Sequence, residues 1–166
     1  MHKIMTIALA ATALVSAAAS AATATTTFAV SATVLKTCSA SANALAFGSY
    51  TPGSGAVAGS TTVSIKCTNG TAYIVALNGG STASGTITQR LMANGTNTLQ
   101  YNLYTTSGYG TIWGDGTTGS STQGGTGAGV GTANTLTVYG QLPDSATNQS
   151  AVTGSYTDTV TVTVTY

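Results

Sequence analysis

Thr27-Phe28-Ala29-Val30-Ser31-Ala32-Thr33-Val34 alternates larger apolar residues with small ones without a break. Side chains on a β-strand point to opposite faces in turn. Phe28, Val30, Ala32 and Val34 would therefore share one face, and Ala29, Ser31 and Thr33 the other. The pattern predicts a strand over 27–34, ending shortly before the first cysteine, Cys38. A strand so close to a freed N-terminus can pair with its own domain or be lent to a neighbouring molecule.

Upstream, Lys3 beside His2 gives a short basic start, Ile4 to Val15 is an apolar run, and Ser16 to Ala22 is rich in small residues. Together these predict an export signal over 1–21, with Ala19-Ser20-Ala21 as an A-x-A cleavage choice. A retained membrane anchor is the alternative, but spanning a bilayer takes ~20 apolar residues, more than this run offers. Cleavage near Ala21 leaves about 145 residues, enough for one ordinary domain with a real core. No transmembrane segment is expected after cleavage.

Cleavage also removes the chain's one histidine. What remains sets Lys36, Lys66 and Arg90 against Asp115, Asp144 and Asp158, with no glutamate. At 4% charged residues the chain has no basic footprint for nucleic acid and no polybasic patch for a membrane. A surface of Thr, Ser, Asn and Gly with almost no charge favours association over mutual repulsion. Cys38 and Cys67 are the two cysteines, and an even pair in an exported chain predicts a single disulfide.

The remaining sequence shows no helical apolar stripe. It reads as short alternating runs separated by Gly, Asn, Pro and Ser, the pattern of an all-β antiparallel sandwich or barrel. Strands are predicted at Leu45–Phe47, Ser60–Cys67, Ala72–Leu77, Leu99–Tyr104, Leu136–Gln141 and Tyr156–Tyr166. Asn69-Gly70, Asn78-Gly79-Gly80 and Asn94-Gly95 signal turns. Gly108 to Ala133 reads as a loose loop, dominated by Gly, Ser and Thr from Gly114 to Thr132. Within it Trp113 covers the edge of the core or, less simply, stacks a ligand. In the last strand Val160, Val162, Val164 and Tyr166 share one face, and a threonine ladder forms the other; plain solvated β-surface is preferred to an ice-binding face.

The side chains of catalysis are missing. General acid–base work needs a tuned His, Glu or Asp, and the three aspartates are scattered through turn-like contexts. No nucleophile stands beside a base, and no glycine loop joins strand to helix around a phosphate. Arg90 is expected to pair with an aspartate or a carbonyl. The triplets starting at Asn69, Asn94 and Asn148 match the glycosylation pattern but are too short to carry a role. No enzyme activity, cofactor or metal is expected.

Taken in order, several stretches resemble the spore coat protein U domain family, which includes the Csu-type subunits of archaic chaperone–usher pili. These are 28–34 leading to Cys38, Leu45-Ala46-Phe47-Gly48-Ser49-Tyr50, Val63-Ser64-Ile65-Lys66-Cys67-Thr68, Leu99-Gln100-Tyr101-Asn102-Leu103-Tyr104, Trp113-Gly114-Asp115-Gly116 and Gly154 to Val162. The resemblance implies an incomplete immunoglobulin-like β-sandwich of the pilin type, completed by a donor strand. It divides the chain into a signal at 1–21, a donor segment at 22–36 and a sandwich domain at 37–166. Phe28, Val30, Ala32 and Val34 become the donor plugs. Val160, Val162, Val164 and Tyr166 line the receiving groove, whose opposite wall follows Cys38.

The implied partners are a periplasmic chaperone, an outer-membrane usher, and neighbouring copies of this chain or related subunits. The implied route is export to the periplasm, then display at the cell surface in a pilus or coat that supports adhesion and biofilm formation, or secretion. A stand-alone secreted coat protein or carbohydrate-binding adhesin module is the alternative.

Overall fold

The computed structural model describes residues 20–117 and 119–166, so the expected export signal lies outside the described residues up to residue 19. The chain divides into two units between Thr33 and Val34. In the first, residues 20–33 adopt no regular secondary structure. The strand expected at 27–34 is not formed, because a strand exists only through backbone hydrogen bonds to a neighbour and no described residue pairs with it. Phe28, Val30 and Val34 stand 85%, 84% and 81% exposed.

The second unit is an antiparallel sandwich of eight strands and one short helix. The strands are β1 (Cys38–Ala42), β2 (Val57–Cys67), β3 (Ala72–Leu77), β4 (Arg90–Asn94), β5 (Asn97–Tyr104), β6 (Gln123–Thr126), β7 (Asn134–Leu142) and β8 (Val162–Thr165), with α1 (Ala146–Gln149) before β8. One sheet has the order β1-β2-β7-β5-β4 and the other β6-β3-β8. The longest ladder runs from Val57↔Leu142 to Ile65↔Asn134. Alternate residues of each strand turn inward, so Val63, Ile65, Val75, Leu77, Tyr101, Leu103 and Val138 form one core. Among the described residues no helix is long and apolar enough to cross a membrane.

Polar side chains finish what the ladders leave undone. Trp113 is fully buried and its indole N–H donates to the Val75 carbonyl at 2.9 Å, so it belongs to the core and offers no face to a ligand. Arg90 is also fully buried. It bonds to carbonyls: its Nε donates to Asn78 at 2.9 Å and its Nη2 to Trp113 at 2.8 Å, while Nη1 donates to the Asn102 Oδ1 at 2.6 Å. Asn148, buried on α1, accepts from the Gln100 N–H at 2.8 Å and donates to the Gln100 carbonyl at 2.9 Å. It supplies to β5 the pairing that β7 would give had it not ended at Leu142. A buried Asn148 with both ends of its amide engaged is no glycosylation acceptor.

The glycine-rich stretch differs most from its reading as a loose loop. β6 forms inside it and pairs with β3 from Ala72↔Thr126 to Val75↔Gln123. The glycines are there for close approach: a Cβ on Gly124 would lie 2.7 Å from the Tyr73 carbonyl oxygen, and one on Gly127 2.5 Å from that of Thr68. The turn at Asn94-Gly95 is formed as expected, joining β4 to β5 with Gly95 at φ +60°.

Cys38 and Cys67 are cross-strand partners and form the disulfide, which ties β1 to β2. The bridge closes a separation of 29 residues. Chain entropy then gives it about 3–4 kcal/mol of stabilisation. The Cys38→Ala, Cys67→Ala double variant should lose that amount, read as a lower urea midpoint at neutral pH.

Candidate functional site

The two sheets share one open side. β1 ends the five-stranded sheet and pairs with β2 alone; β8 ends the three-stranded sheet and pairs with β3 alone. An antiparallel ladder uses the backbone groups of alternate residues. The Asn43 N–H bonds to the Thr62 carbonyl at 3.1 Å, so by alternation Ala40 and Ala42 aim their backbone groups at the free edge of β1. The Asn78 N–H bonds to the Thr161 carbonyl at 3.2 Å, so Val160, Val162 and Val164 aim theirs at the free edge of β8. Two unpaired edges thus flank the opening.

Between them lies a groove of about 380 Å³. Val63, Leu77, Leu103 and Val138 make its floor, Ala42 to Leu45 and Phe47 one wall, and Tyr156 to Val160 with Val162 the other. The wall of Ala44 to Ser49 makes no backbone–backbone hydrogen bond among the described residues. This segment, predicted as a strand at Leu45–Phe47, instead lies across the inner face of β2 and β7. It fits there because Gly59 and Gly140 have no side chains; a Cβ on Gly140 would lie 2.9 Å from Leu45 and 3.0 Å from Phe47. The Phe47 ring meets Tyr101 edge-on at 5.9 Å. Beyond Leu45 and Phe47 a second cavity of about 690 Å³ opens towards Tyr50, Leu142 and Val152.

Of the residues singled out in the last strand, Val160 and Val162 line the groove. Val164 packs against the core, and Tyr166 stands 55% exposed. The strand is also shorter than the predicted Tyr156–Tyr166. Before Val162 only Thr157 is paired through its backbone on both sides, in an isolated bridge to Ala93. The rest of this stretch is held by side chains: Asn78 Oδ1 accepts from the Thr161 N–H at 2.8 Å and Ser81 Oγ from that of Thr159 at 3.2 Å.

Asp158, which the sequence places only in a turn-like context, is the polar anchor of this wall. Its Oδ1 accepts from the backbone N–H of Ser81 at 2.9 Å and of Thr82 at 3.0 Å, and its Oδ2 accepts from the Tyr101 hydroxyl at 2.6 Å. Gly80, at φ +91°, leaves room for the carboxylate, since a Cβ there would collide with it. Burial works to raise the Asp158 pKa, but the bonds from Tyr101, Thr159, Ser81 and Thr82 outweigh it, and the net shift is downward. Burial, then Asp158, drives the Tyr101 phenol upward. The one available signal was Asp158 at an inward, even-numbered position of a strand whose other even residues are apolar.

A second carboxylate, Asp144, pins the loop after the groove wall. It accepts from the Tyr50 hydroxyl at 2.5 Å and from the backbone N–H groups of Gly53 at 3.0 Å and Gly55 at 2.9 Å. The Tyr50 bond first, then the two amides, hold its pKa down to about 2.

Residues 24–163 match the Spore Coat Protein U domain. No curated protein matches the chain. Among solved structures, the crystal structure of the CsuC–CsuE chaperone–tip adhesion subunit pre-assembly complex, from the archaic chaperone–usher Csu pili of Acinetobacter baumannii, is similar at 27% identity and a TM-score of 0.52. The match covers 81% of this chain and 40% of that one, so this chain spans well under half of its neighbour's length. The two-sheet sandwich with one open side is thus the immunoglobulin-like pilin fold.

The carboxylates give the fold a signed acid limit. An unfolded aspartate titrates near 3.8, and Asp144 in the fold near 2, so its contribution is complete above about pH 4 and is lost as pH falls towards 2. Urea unfolding from pH 5 to pH 2 should show stability falling through this window. Asp144→Asn should flatten part of the slope, leaving the part that Asp158 contributes with its own lowered pKa.

Proposed function

The chain belongs to the Spore Coat Protein U domain family, and on that premise we propose that it is a structural subunit of a surface pilus or coat, polymerised by donor-strand exchange. The observation that carries this reading is the pair of unpaired edges, β1 and β8, facing each other across an apolar groove. A strand laid in that groove meets unpaired backbone on either side and apolar side chains beneath. This is β-strand addition, in which main-chain bonds give affinity and alternate side chains give specificity.

The occupant is the segment of a neighbouring copy, or of a related subunit, that carries Phe28, Val30, Ala32 and Val34. Phe28 to Val34 covers about 20 Å at ~3.3 Å per residue, the same reach as Tyr156 to Val162 along the groove wall. Val160 and Val162 receive the plugs directly, and Val164 and Tyr166 continue the strand that receives them. Each buried Phe or Val is worth ~1.5–3 kcal/mol, against ~1–2 kcal/mol of backbone entropy per ordered residue. The exposed plugs therefore supply most of the driving force, and ladder bonds of ~0.5–1.5 kcal/mol net add to it. A filled groove would also give Ala44–Ser49 and Val160 the partners that turn them into strand.

Before a neighbour arrives, a periplasmic chaperone covers the groove, and an outer-membrane usher exchanges its strand for the next subunit's. Display in the assembled polymer supports adhesion and biofilm formation. The similarity to a chaperone-bound pilus subunit supports this route. A stand-alone carbohydrate-binding module centred on Trp113 has no support, since that ring is sealed in the core.

The test is the size of the exported protein. Wild type should run as heat- and detergent-resistant ladders, and the Val30→Asp, Val34→Asp variant should run as monomer. Val162→Asp, altering the receiving side, should fail to accept a wild-type donor while still donating its own segment. Normal ladders from the donor variant would sink the proposal.

A further inference from the structure

Continued past Val34, the alternation that sets the plugs on one face brings Lys36 onto it as well. Lys36 is exposed and makes no hydrogen bond or ion pair among the described residues. The other cations after residue 21 are placed elsewhere. Arg90 is buried on carbonyls and Asn102, and Lys66 lies on β2 opposite Ser39.

The groove wall has a matching break in its own apolar row. From Tyr156 to Val164 the even-numbered residues are half-buried and the odd-numbered ones exposed, and Asp158 holds one of the even positions. It lines the groove together with Tyr101. Its Oδ1 is taken by the N–H and hydroxyl groups of Ser81 and Thr82. Its Oδ2 accepts one bond among the described residues, from the Tyr101 hydroxyl. A carboxylate oxygen offers about two acceptor sites, so Oδ2 retains one. Burial works against the charge of Asp158, yet the bonds from Tyr101, Thr159, Ser81 and Thr82 keep it ionised. Arg90 attracts it from within the core but gives it no hydrogen bond.

An apolar strand laid along this wall strips water from Asp158, and a buried carboxylate without a cation is costly. Residues 28–36 and 158–166 each cover about 26 Å at ~3.3 Å per residue. Set antiparallel and in step, Lys36 falls opposite Asp158. Val34 then meets Val160, Ala32 meets Val162, Val30 meets Val164 and Phe28 meets Tyr166. A slip of two residues keeps every side chain on its face, so apolar alternation alone does not forbid it. One such slip sets Lys36 against Val160, and the other sets Val34 against Asp158. Reversing the strand over the same span sets Phe28 against the carboxylate. Of these arrangements, the first alone matches charge to charge and apolar to apolar.

Resting on the donor-strand reading, we infer that Lys36 of the donor copy pairs with Asp158 of the copy that receives it, and that this contact fixes the register and direction of the inserted strand. The plugs supply the attraction. The ion pair supplies the discrimination, because each slipped register leaves both charges without a partner.

Carbodiimide couples an amine to a carboxylate that it touches, so it tests the pair on ladders assembled from the full exported chain. Peptide mapping should find Lys36 joined to Asp158. The link should be absent from monomers of the Val30→Asp, Val34→Asp variant, which keep both groups. Lys36→Met ladders should dissociate in hot detergent roughly tenfold faster than wild type, the effect of losing one charge-assisted contact, and Lys36→Arg ladders should match wild type. Asp158→Asn still accepts from Ser81 and Thr82, and adding Lys36→Met to it should speed dissociation no further. Lys36 joined instead to Asp115 or Asp144, no Lys36 link at all, or Lys36→Met ladders as durable as wild type would each overturn the pairing while leaving strand exchange intact. Absence of ladders from wild type would overturn both.

Discussion

Backbone N–H and C=O groups must find partners, and along β1 and β8 this chain leaves two rows of them facing a groove that its own strands do not fill. An unpaired buried donor or acceptor costs about 1–3 kcal/mol, so such edges persist only where water or another strand reaches them. The rest of the sandwich keeps that opening in shape. The disulfide fixes β1 against β2 on one side, and Asp158 with Asn78 and Ser81 fixes the approach to β8 on the other. Both rims of the groove are thus fastened to the body of the sandwich.

The few charges are used in the same way. The Arg90 guanidinium gathers carbonyls from Asn78, Ile87 and Trp113. Asp158 and Asp144 gather backbone amides from loops that would otherwise be free. Asp115 closes its own turn onto the Thr117 N–H at 2.8 Å. Charge-assisted bonds to backbone are stronger than neutral ones, so four ionic groups hold loops that a small apolar core cannot reach. The consequence is a surface with almost no charge left for repulsion.

Strands with apolar alternation and two partners were legible in the sequence: Ala72–Leu77 has the same bounds in both, and the ends of β2 and β5 at Cys67 and Tyr104 coincide. Strands whose inner residues are small or polar were not. β1 reads Cys-Ser-Ala-Ser-Ala because its inner face borders the open groove, and β6 reads Gln-Gly-Gly-Thr because Tyr73 presses against both of its glycines. β4 begins on a buried arginine, which breaks the apolar pattern. The opposite error is more informative. Residues 27–34, 45–47 and 156–161 carry strand patterns and form no strand. Propensity reports fit to a pleated surface, whereas a strand requires a partner. Of the groove, Val160 and Val162 could be read from alternation, but the Asp158–Tyr101 contact joins residues 57 apart and has no local signature.

Exposed strand edges invite edge-to-edge pairing, and natural sheets blunt them with charge, proline or bulges. β1 and β8 carry none of these; their sequences are Cys-Ser-Ala-Ser-Ala and Val-Thr-Val-Thr. With so little charge elsewhere, little among the described residues discourages indiscriminate association through that side. Under the proposed donor-strand reading, such an edge is covered from the time the chain folds until a neighbouring subunit's strand arrives. The sequence that makes the groove receptive is then the same one that calls for a covering partner.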